Sequence, residues 1–242
     1  MNPTKKLSVI LAAGKGTRMD SNIPKPMNQV DDKPIISWLI ESFKKNNIDI
    51  VLVINEKDLG FFNDFKNDVK FVYQNSPLGT GDALMKALDD IKRYELTYVF
   101  MGDSPFVGSD LISQMYASQI SVDSDCTILS SLFKDKKFPY ARIIRKKNSI
   151  VKIVEEKDAS RKELIEQELF CSHYLFKSSI LLDYMKYLKP NIKTGEIYLT
   201  DILNVLLKKN KKINSLIIDD WKRLVGLNTK EDILWIESQK MN

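Results

Sequence analysis

Short apolar runs alternate with helix-like segments through the first half of the chain, and this alternation limits the fold more than any other feature. The runs that predict buried strands are residues 7–13, 48–54, 71–73 and 97–101. Residues 34–44 carry apolar side chains at helical spacing, and residues 82–91 also have a helical pattern. Strands that alternate with helices are typical of a mostly parallel sheet covered by helices on both faces, so we expect an α/β fold.

The second half of the chain has a denser pattern of strands. Strands are predicted at residues 126–133, 140–144, 150–155, 170–176 and 213–218. Helices are predicted at residues 159–168, 179–188, 199–208 and 230–239. Because hydrophobic patterning continues without a Pro/Gly-rich linker, we expect one continuous domain, residues 1–242, with a small inserted β region.

Composition argues against several classes of protein. The chain carries 37 Lys and Arg against 32 Asp and Glu, and its lysines are scattered, so nucleic acid is not an expected partner. Cys126 and Cys171 lie far apart and His173 is the single histidine, which argues against a zinc site. Unpaired cysteines are typical of proteins in a reducing compartment. The first apolar run, residues 7–13, is too short for a signal peptide or a membrane span. We therefore expect a cytoplasmic protein with no membrane partner.

A Gly-rich turn follows the first predicted strand. Residues 11–19 read LAAGKGTRM, and residues 24–26 read PKP. Small residues at Gly14 and Gly16 let backbone N–H groups approach a polyphosphate, while Arg18 and Lys25 supply positive charge. The spacing is neither that of a Rossmann dinucleotide loop nor that of a Walker loop. On these residues alone, a plain Gly-rich turn with two surface cations remains an alternative.

Two further polar segments follow predicted strands. Residues 74–83 read QNSPLGTGDA, and the Gln74 amide offers a donor and an acceptor to a pyrimidine edge. Without a ligand, the same residues describe a helix start capped by Thr80 or Asp82. Residues 101–105 read MGDSP, and Asp103 there is either a turn residue or a carboxylate placed for Mg²⁺.

The Gly-rich turn with its PKP segment resembles the LxxGxGxRM…PK signature of the sugar-phosphate nucleotidyltransferases. Within that superfamily the chain looks most like the uridyltransferase domain of bifunctional N-acetylglucosamine-1-phosphate uridyltransferases. The resemblance implies a Rossmann-like three-layer α/β/α nucleotidyltransferase fold. It also implies that Arg18 and Lys25 are catalytic, and that the triphosphate is held by Leu11, Ala12, Ala13 and Gly14.

The other two segments extend the resemblance. Residues 74–83 are similar to the QxxxLGTxHA segment, which implies that Gln74, Gly79 and Thr80 contact the base, while the family's His is Asp82 here. Residues 101–105 are similar to the [LY]xGDxP motif, whose Asp binds metal. Residues 226–229 (GLNT) resemble the GVN-like segment that supplies the second ligand. Asp103 and Asn228 are therefore the implied ligands of Mg²⁺.

Three segments between residues 139 and 201 also match the family, in the order in which the family has them. Residues 139–142 (PYAR) resemble GYGR, residues 153–159 resemble IVEHKDA, and residues 195–201 resemble GEYYLTD. The resemblance thus runs from residue 7 to residue 229. It implies a nucleotide-binding half at about 7–105, an acceptor-binding half at about 106–229 and a C-terminal helix at 230–242.

The acceptor site is where the sequence departs from the family. The resemblance places Ala141, Glu155, Phe170 and Ser172 there. However, Ala141 replaces a Gly, and Phe170-Cys171-Ser172 replaces an NTG segment. Altered groups of this kind change which substrate fits, so the resemblance supports nucleotidyl transfer more directly than it identifies the acceptor.

The expected reaction is uridylyl transfer from UTP to a sugar-1-phosphate, and three alternatives stay open. The first is a cytidylyltransferase using CTP and a phosphorylated non-sugar acceptor, since a Gln amide can flip to serve either base. The second is a nucleotide-sensing module without turnover. The third, a nucleic-acid-binding module, lacks the clustered basic and aromatic residues it would need. No hexapeptide repeat is present, so acetyltransferase activity is not expected. A homo-oligomer stays open, with Trp221 and Trp235 as candidate interface residues.

Overall fold

The computed structural model describes residues 4–14, 16–19, 22–133 and 138–239. Its strands are β1 (Lys6–Leu11), β2 (Gln29–Val30), β3 (Lys33–Pro34), β4 (Asp49–Ile54), β5 (Lys70–Tyr73), β6 (Leu96–Met101), β7 (Cys126–Leu132), β8 (Ala141–Lys146), β9 (Ser149–Val154), β10 (Glu168–Lys177) and β11 (Ile213–Ile217). Its α-helices are α1 (Ile35–Lys45), α2 (Thr80–Met85), α3 (Leu88–Ile91), α4 (Gly108–Val122), α5 (Ser178–Tyr184), α6 (Asp201–Lys208) and α7 (Lys230–Ser238).

Nine of these strands form one sheet. Its main row runs β11-β7-β10-β6-β1-β4-β5, and β8 and β9 extend it beside β10. In that row β1 pairs in parallel with β4 and β6, and the β4–β5 and β11–β7 pairs are also parallel. Of the described strands in the row, β10 alone runs antiparallel to its neighbours. The predicted mostly parallel sheet is confirmed.

The sheet has a hydrophobic core on each face. Along β1, Val9 and Leu11 belong to one core and Ile10 to the other, as expected for a strand that alternates between two covered faces. The core with Ile10 is covered by α1, α4 and α7. The core with Val9 is covered by α2, α3, α5 and α6. This arrangement is the expected three-layer α/β/α fold.

The predicted helix at residues 159–168 is wrong. The segment contains only a short 3₁₀ turn, Glu163–Ile165, and Glu168 already belongs to β10. Its apolar side chains Leu164 and Ile165 are exposed. Since most helical stability in proteins comes from packing an apolar face, this stretch has nothing to hold it in a helix.

Two other helical regions differ from the sequence-based expectation. The helix predicted over 82–91 is divided into α2 and α3, and the break lies where the Ala87 amide donates to Leu84 rather than to the residue four positions back. The 15-residue helix α4 was not predicted from the sequence. Its apolar pattern is weak because it buries polar Gln119 and exposes Ile120 and Val122.

The inserted β region is confirmed as the hairpin of β8 and β9. The hairpin joins the sheet where Leu169 and Phe170 of β10 pair with Arg142 and Ala141 of β8. The β10–β7 register shifts between Phe170 and Tyr174, a β-bulge. The hairpin and the bulge therefore both involve the first half of β10.

Both cysteines are buried and unpaired, as expected. Within the described residues, no helix has the length and apolar character needed to cross a membrane. The predicted C-terminal helix is α7, which ends at Ser238, and residues 240–242 of that prediction lie outside the described part of the chain. The division into one domain with two halves stays a prediction.

Candidate active site

A cavity of about 700 Å³ opens at the carboxyl ends of parallel strands β1, β5 and β6. This is the edge of an open α/β sheet at which ligands bind. All of the predicted nucleotide-binding, catalytic and metal-binding residues line this cavity: Leu11, Ala12, Ala13, Gly14, Arg18, Lys25, Gln74, Gly79, Thr80, Asp103 and Asn228. The structure therefore brings together residues that lie more than 200 positions apart in the chain.

The Gly-rich turn after β1 is folded closely against Lys25. Gly16 has φ +57°, and a Cβ added there would lie 2.7 Å from the Cβ of Lys25. Both the left-handed backbone and the close approach require glycine. A short 3₁₀ turn, Thr17–Met19, follows, and the buried side chain of Met19 anchors it in the core. Lys15 of the motif lies outside the described residues.

Two cations and two oxygen-bearing side chains meet at one end of the cavity. The Lys25 ammonium forms an ion pair with Asp103, and its Nζ also donates to Asn228 Oδ1 at 3.1 Å. Arg18 Nη2 donates to the same Asn228 oxygen at 3.1 Å. The Lys25 and Asp103 side chains are 18% and 15% exposed, so this pair is screened less than a surface ion pair.

Asn228 is oriented by its own segment. The Leu227 amide donates to the Asp103 carbonyl at 2.8 Å, and the Asn228 side-chain amide donates to the Gly226 carbonyl at 3.0 Å. The second bond uses Nδ2 and so turns Oδ1 toward the cations. Thr229 and Asp232 form a capping box that begins α7 immediately afterwards.

Gly226 permits the close contact between this segment and Asp103. A Cβ at Gly226 would lie 2.9 Å from Asp103 Oδ1, closer than real Cβ contacts allow. The Gly226 amide donates to the hydroxyl of Tyr140 at 2.9 Å. The loop after β7 therefore helps to fix the position of the segment that carries Asn228.

The donor set at this end of the cavity fits Mg²⁺. The oxygens of Asp103 and Asn228 converge on one point, which the positively charged Lys25 nitrogen occupies here. Mg²⁺ binds hard oxygens and commonly takes only one or two from the protein, keeping several waters. Among the described residues no cluster of three or more His, Cys, Asp or Glu side chains offers an alternative metal site.

The residues predicted to contact the base, Gln74, Gly79 and Thr80 (the base-side residues), line the same cavity. Gln74, at the end of β5, is 4% exposed, and its Nε2 donates to the Gly79 carbonyl at 3.0 Å. The Thr80 hydroxyl accepts from the Leu199 amide at 3.0 Å. The alternative that Thr80 or Asp82 caps the helix is wrong, since Gly79 is the N-cap of α2 and no side chain caps it.

A second cavity, of about 210 Å³, adjoins the first. Arg18, Asp103 and Asn228 line both cavities. The second cavity is also lined by all four of the predicted acceptor residues: Ala141, Glu155, Phe170 and Ser172. Arg18, Asp103 and Asn228 thus lie where the two cavities meet, and Lys25, which contacts both oxygen-bearing side chains, lines only the larger of the two.

The acceptor-side residues have mixed chemical character. Burial raises the pKa of the Glu155 carboxyl, and a hydrogen bond from Thr200 opposes that rise. The Phe170 ring is 1% exposed and packs edge-on against Tyr174 at 4.8 Å, so it is also part of the core. Ser172 has φ +63° within the bulge of β10. The lining of this cavity therefore combines charged and hydroxyl groups with apolar ones.

Several residues near the site were not predicted from the sequence. Tyr140, Tyr198 and Glu196 line one cavity or the other and were not assigned roles. The Tyr198 hydroxyl accepts from Lys157 and forms a further hydrogen bond with Thr194. All three lie inside segments whose resemblance to the family was noted, and that neighbourhood is the signal that could have found them.

Comparisons with known proteins agree with this geometry. Residues 8–169 match a family described as MobA-like NTP transferase domain. Among curated proteins, the chain is 31% identical over 240 residues to the bifunctional protein GlmU of Clostridium perfringens, covering 98% of this chain and 52% of that protein. It is 34% identical over 226 residues to GlmU of Caldanaerobacter subterraneus subsp. tengcongensis, covering 93% and 49%.

The bifunctional protein GlmU of Aquifex aeolicus is 32% identical over 243 residues, covering 96% of this chain and 52% of that protein. The chain therefore spans about half the length of the curated relatives it matches. The matched family region includes β1 with its Gly-rich turn, the base-side residues and Asp103. On the family match and the fold, this chain belongs to the MobA-like NTP transferase domain family, a family of nucleotidyltransferases.

Proposed function

We propose that the chain transfers a nucleoside monophosphate from a pyrimidine NTP to a phosphorylated small molecule, with Mg²⁺ as cofactor. The observation that carries this proposal is the pair of adjoining cavities that share Arg18, Asp103 and Asn228. A nucleotide in the larger cavity and an acceptor in the smaller one would have their phosphates meet at these shared residues. Such a meeting point is what a direct transfer between two bound substrates requires.

The proposed step needs no covalent protein intermediate. An oxygen of the acceptor phosphate forms a bond to the α-phosphorus of the NTP. The bond from that phosphorus to the oxygen bridging the α- and β-phosphates breaks, and its electron pair leaves with pyrophosphate. The products are an NDP-acceptor and pyrophosphate.

Each polar residue at the junction has a role in that step. Lys25 and Arg18 stabilise the negative charge that builds on the transferred and leaving phosphates. Asp103 and Asn228 would hold Mg²⁺, which supplies charge neutralisation for the phosphate oxygens when bound. The amides of the Gly-rich turn after β1 orient the triphosphate. The barrier is lowered by positioning and electrostatics rather than by a nucleophilic side chain.

The preferred substrates are UTP and a sugar-1-phosphate. The support is the resemblance of successive segments along the chain to the uridyltransferase domain, together with GlmU relatives that match nearly the whole chain. Glu155, half-buried in the same cavity as the shared residues, offers a carboxyl group to a sugar hydroxyl. A group that binds a substrate hydroxyl in this way discriminates strongly against acceptors without one.

A second candidate keeps the reaction and changes the substrates to CTP and a phosphorylated non-sugar acceptor. The observation in its favour is the small acceptor-side cavity of about 210 Å³, with a methyl group at Ala141 and the Phe170 ring in its wall. The family has Gly and Asn at these two positions. A methyl group and an aromatic ring offer an N-acetylhexosamine fewer hydrogen-bonding groups than the family's residues do, so these two positions permit a different phosphorylated acceptor.

The test is pyrophosphate release with Mg²⁺, using UTP and CTP separately against a panel of phosphorylated acceptors. The panel contains N-acetylglucosamine-1-phosphate, other sugar-1-phosphates, and alcohol and amino-acid phosphates. Turnover with UTP and a sugar-1-phosphate supports the preferred substrates, and turnover only with CTP or a non-sugar phosphate supports the second candidate. If the chain binds NTP but releases no pyrophosphate with any acceptor, the proposed transfer is wrong and the sensing alternative stands.

A further inference from the structure

The amide of Gln74 is held between two acceptors. Its Nε2 donates to Asp82 Oδ2 at 2.8 Å and to the Gly79 carbonyl at 3.0 Å. Gln74 is 4% exposed and Asp82 is 8% exposed, so water competes little for these bonds. Asp82 lies in the first turn of α2, at the position where the resembling family has His.

This arrangement fixes which end of the amide faces the cavity. A carboxylate that also pairs with Lys86, at 3.2 Å, and a backbone carbonyl both offer lone pairs only. Both hydrogens of the Gln74 amide are therefore used by these two partners. If the amide flipped, its Oε1 would face two other oxygens at hydrogen-bond distance, which is strongly unfavourable. Oε1 is left as the acceptor that Gln74 can present to a ligand.

An acceptor held in a fixed orientation can pair with only one of the two pyrimidine bases at a given position of the ring. At position 3 uracil presents an N–H donor and cytosine a lone pair, whereas at position 4 uracil presents an oxygen and cytosine an amine. The two bases are thus opposite at both positions. A Gln amide that is free to rotate could serve either base, but a locked one accepts a donor and repels a lone pair.

We propose that Asp82 is the specificity-determining residue for the base, because it locks the Gln74 amide with its oxygen toward the nucleotide. Asp82 does not line either cavity, so it acts through Gln74 as a positioning residue. This inference rests on the proposed use of a pyrimidine NTP. It replaces the expectation from sequence that the Gln74 amide could flip to accept both bases.

The experiment compares the Kd values of UTP and CTP in the presence of Mg²⁺, measured by calorimetry without acceptor. The proteins are the wild type, Asp82→Asn, Asp82→Ala and the control Lys86→Met. Asp82→Asn keeps the shape of the side chain but lets the two amides rotate together. Asp82→Ala serves if the Asn variant does not fold. Lys86→Met removes the other partner of Asp82 and leaves the contact with Gln74 in place.

The wild type is expected to bind one pyrimidine nucleotide at least about tenfold more tightly than the other, within the range expected for one hydrogen-bonding group left unsatisfied. Both Asp82 variants should lower that ratio by about fivefold or more, while Lys86→Met should keep it. A wild type that binds both equally, or a ratio unchanged in folded Asp82 variants, overturns the inference alone. A wild type that binds neither nucleotide overturns the proposed function as well.

Discussion

The side-chain oxygen of Asn228 lies 3.1 Å from the ammonium nitrogen of Lys25, across 203 positions of the chain. The same oxygen accepts from Arg18 at 3.1 Å. Lys25 also pairs with Asp103, so the groups proposed for catalysis and for metal binding already contact one another. Substitutions at these positions therefore test the proposed chemistry most directly.

Lys25→Ala is expected to lower kcat for pyrophosphate release by about a hundredfold or more, the scale of one lost preorganised charge contact. KM for the NTP should change less, because the contact is proposed to strengthen in the transition state. Lys33→Ala is the matched control, since Lys33 pairs with Glu41 on the surface outside both cavities. An unchanged kcat in folded Lys25→Ala would remove this lysine from the mechanism.

Asp103→Asn is expected to raise the Mg²⁺ concentration needed for half-maximal activity, because it replaces a charged ligand by a neutral one. The measurement is a Mg²⁺ titration of the initial rate, with chelator-treated protein as the starting point. Asp110→Asn removes the partner of Arg223 outside both cavities and should leave the titration unchanged. Full activity of the chelator-treated wild type would contradict the proposed metal requirement.

Gly14→Ala is expected to weaken NTP binding by about tenfold or more without lowering the melting temperature. The reason is that the added methyl group would occupy the space in which the triphosphate is proposed to bind. In the structure a Cβ at Gly14 meets nothing within 4 Å, although the residue lines the larger cavity. Gly60→Ala is the control, because a Cβ there also meets nothing within 4 Å and Gly60 lies in a 3₁₀ helix, Glu56–Phe65. Equal Kd values for the two variants would place the phosphates elsewhere.

The stability of the fold should depend on pH through His173. The residue is fully buried, neither ring nitrogen has a hydrogen-bond partner among the described residues, and burial lowers its pKa from 6.5 to about 4. Between those values the unfolded chain binds a proton that the folded chain does not. The free energy of unfolding therefore falls as the pH falls through this window, by about 3 kcal/mol in total.

The measurement for His173 is urea unfolding at pH 7 and pH 4.5, for the wild type and for His173→Leu. Because His173 is the single histidine, the difference between the two proteins isolates its contribution from that of the carboxyl groups. The Leu variant should lose less stability on acidification than the wild type. Identical losses in both proteins would show that His173 is not the group that titrates.

The sequence predicted the sheet well because its strands are buried on both faces and so appear as continuous apolar runs. The predicted site residues also come together around the two cavities, since the Gly-rich turn, Gln74 and Asp103 each follow directly after a strand that ends at the same edge of the sheet. These features depend on local pattern and on one general rule of α/β folds.

The features that the sequence did not predict depend on contacts between distant segments. Residues 159–168 have helical composition but expose their apolar side chains, and α4 packs well in spite of a weak pattern. The contact of Tyr140 with Gly226 joins positions 86 apart. Gln74 and Asp82 are close in sequence, but the orientation of the Gln74 amide also depends on the Gly79 carbonyl. Every residue has a backbone carbonyl, so the residue types alone do not show where this one points.

The hydrogen bond from the Leu227 amide to the Asp103 carbonyl attaches the segment that carries Asn228 to the loop after β6. Every described strand of the large sheet precedes residue 218, so the pairing of the sheet does not depend on this segment. Activity would therefore require a docking step that is separate from formation of the sheet. Conversely, detachment of this segment alone would silence the enzyme while the sheet stayed folded, a form of local opening that hydrogen exchange at the Leu227 amide would report.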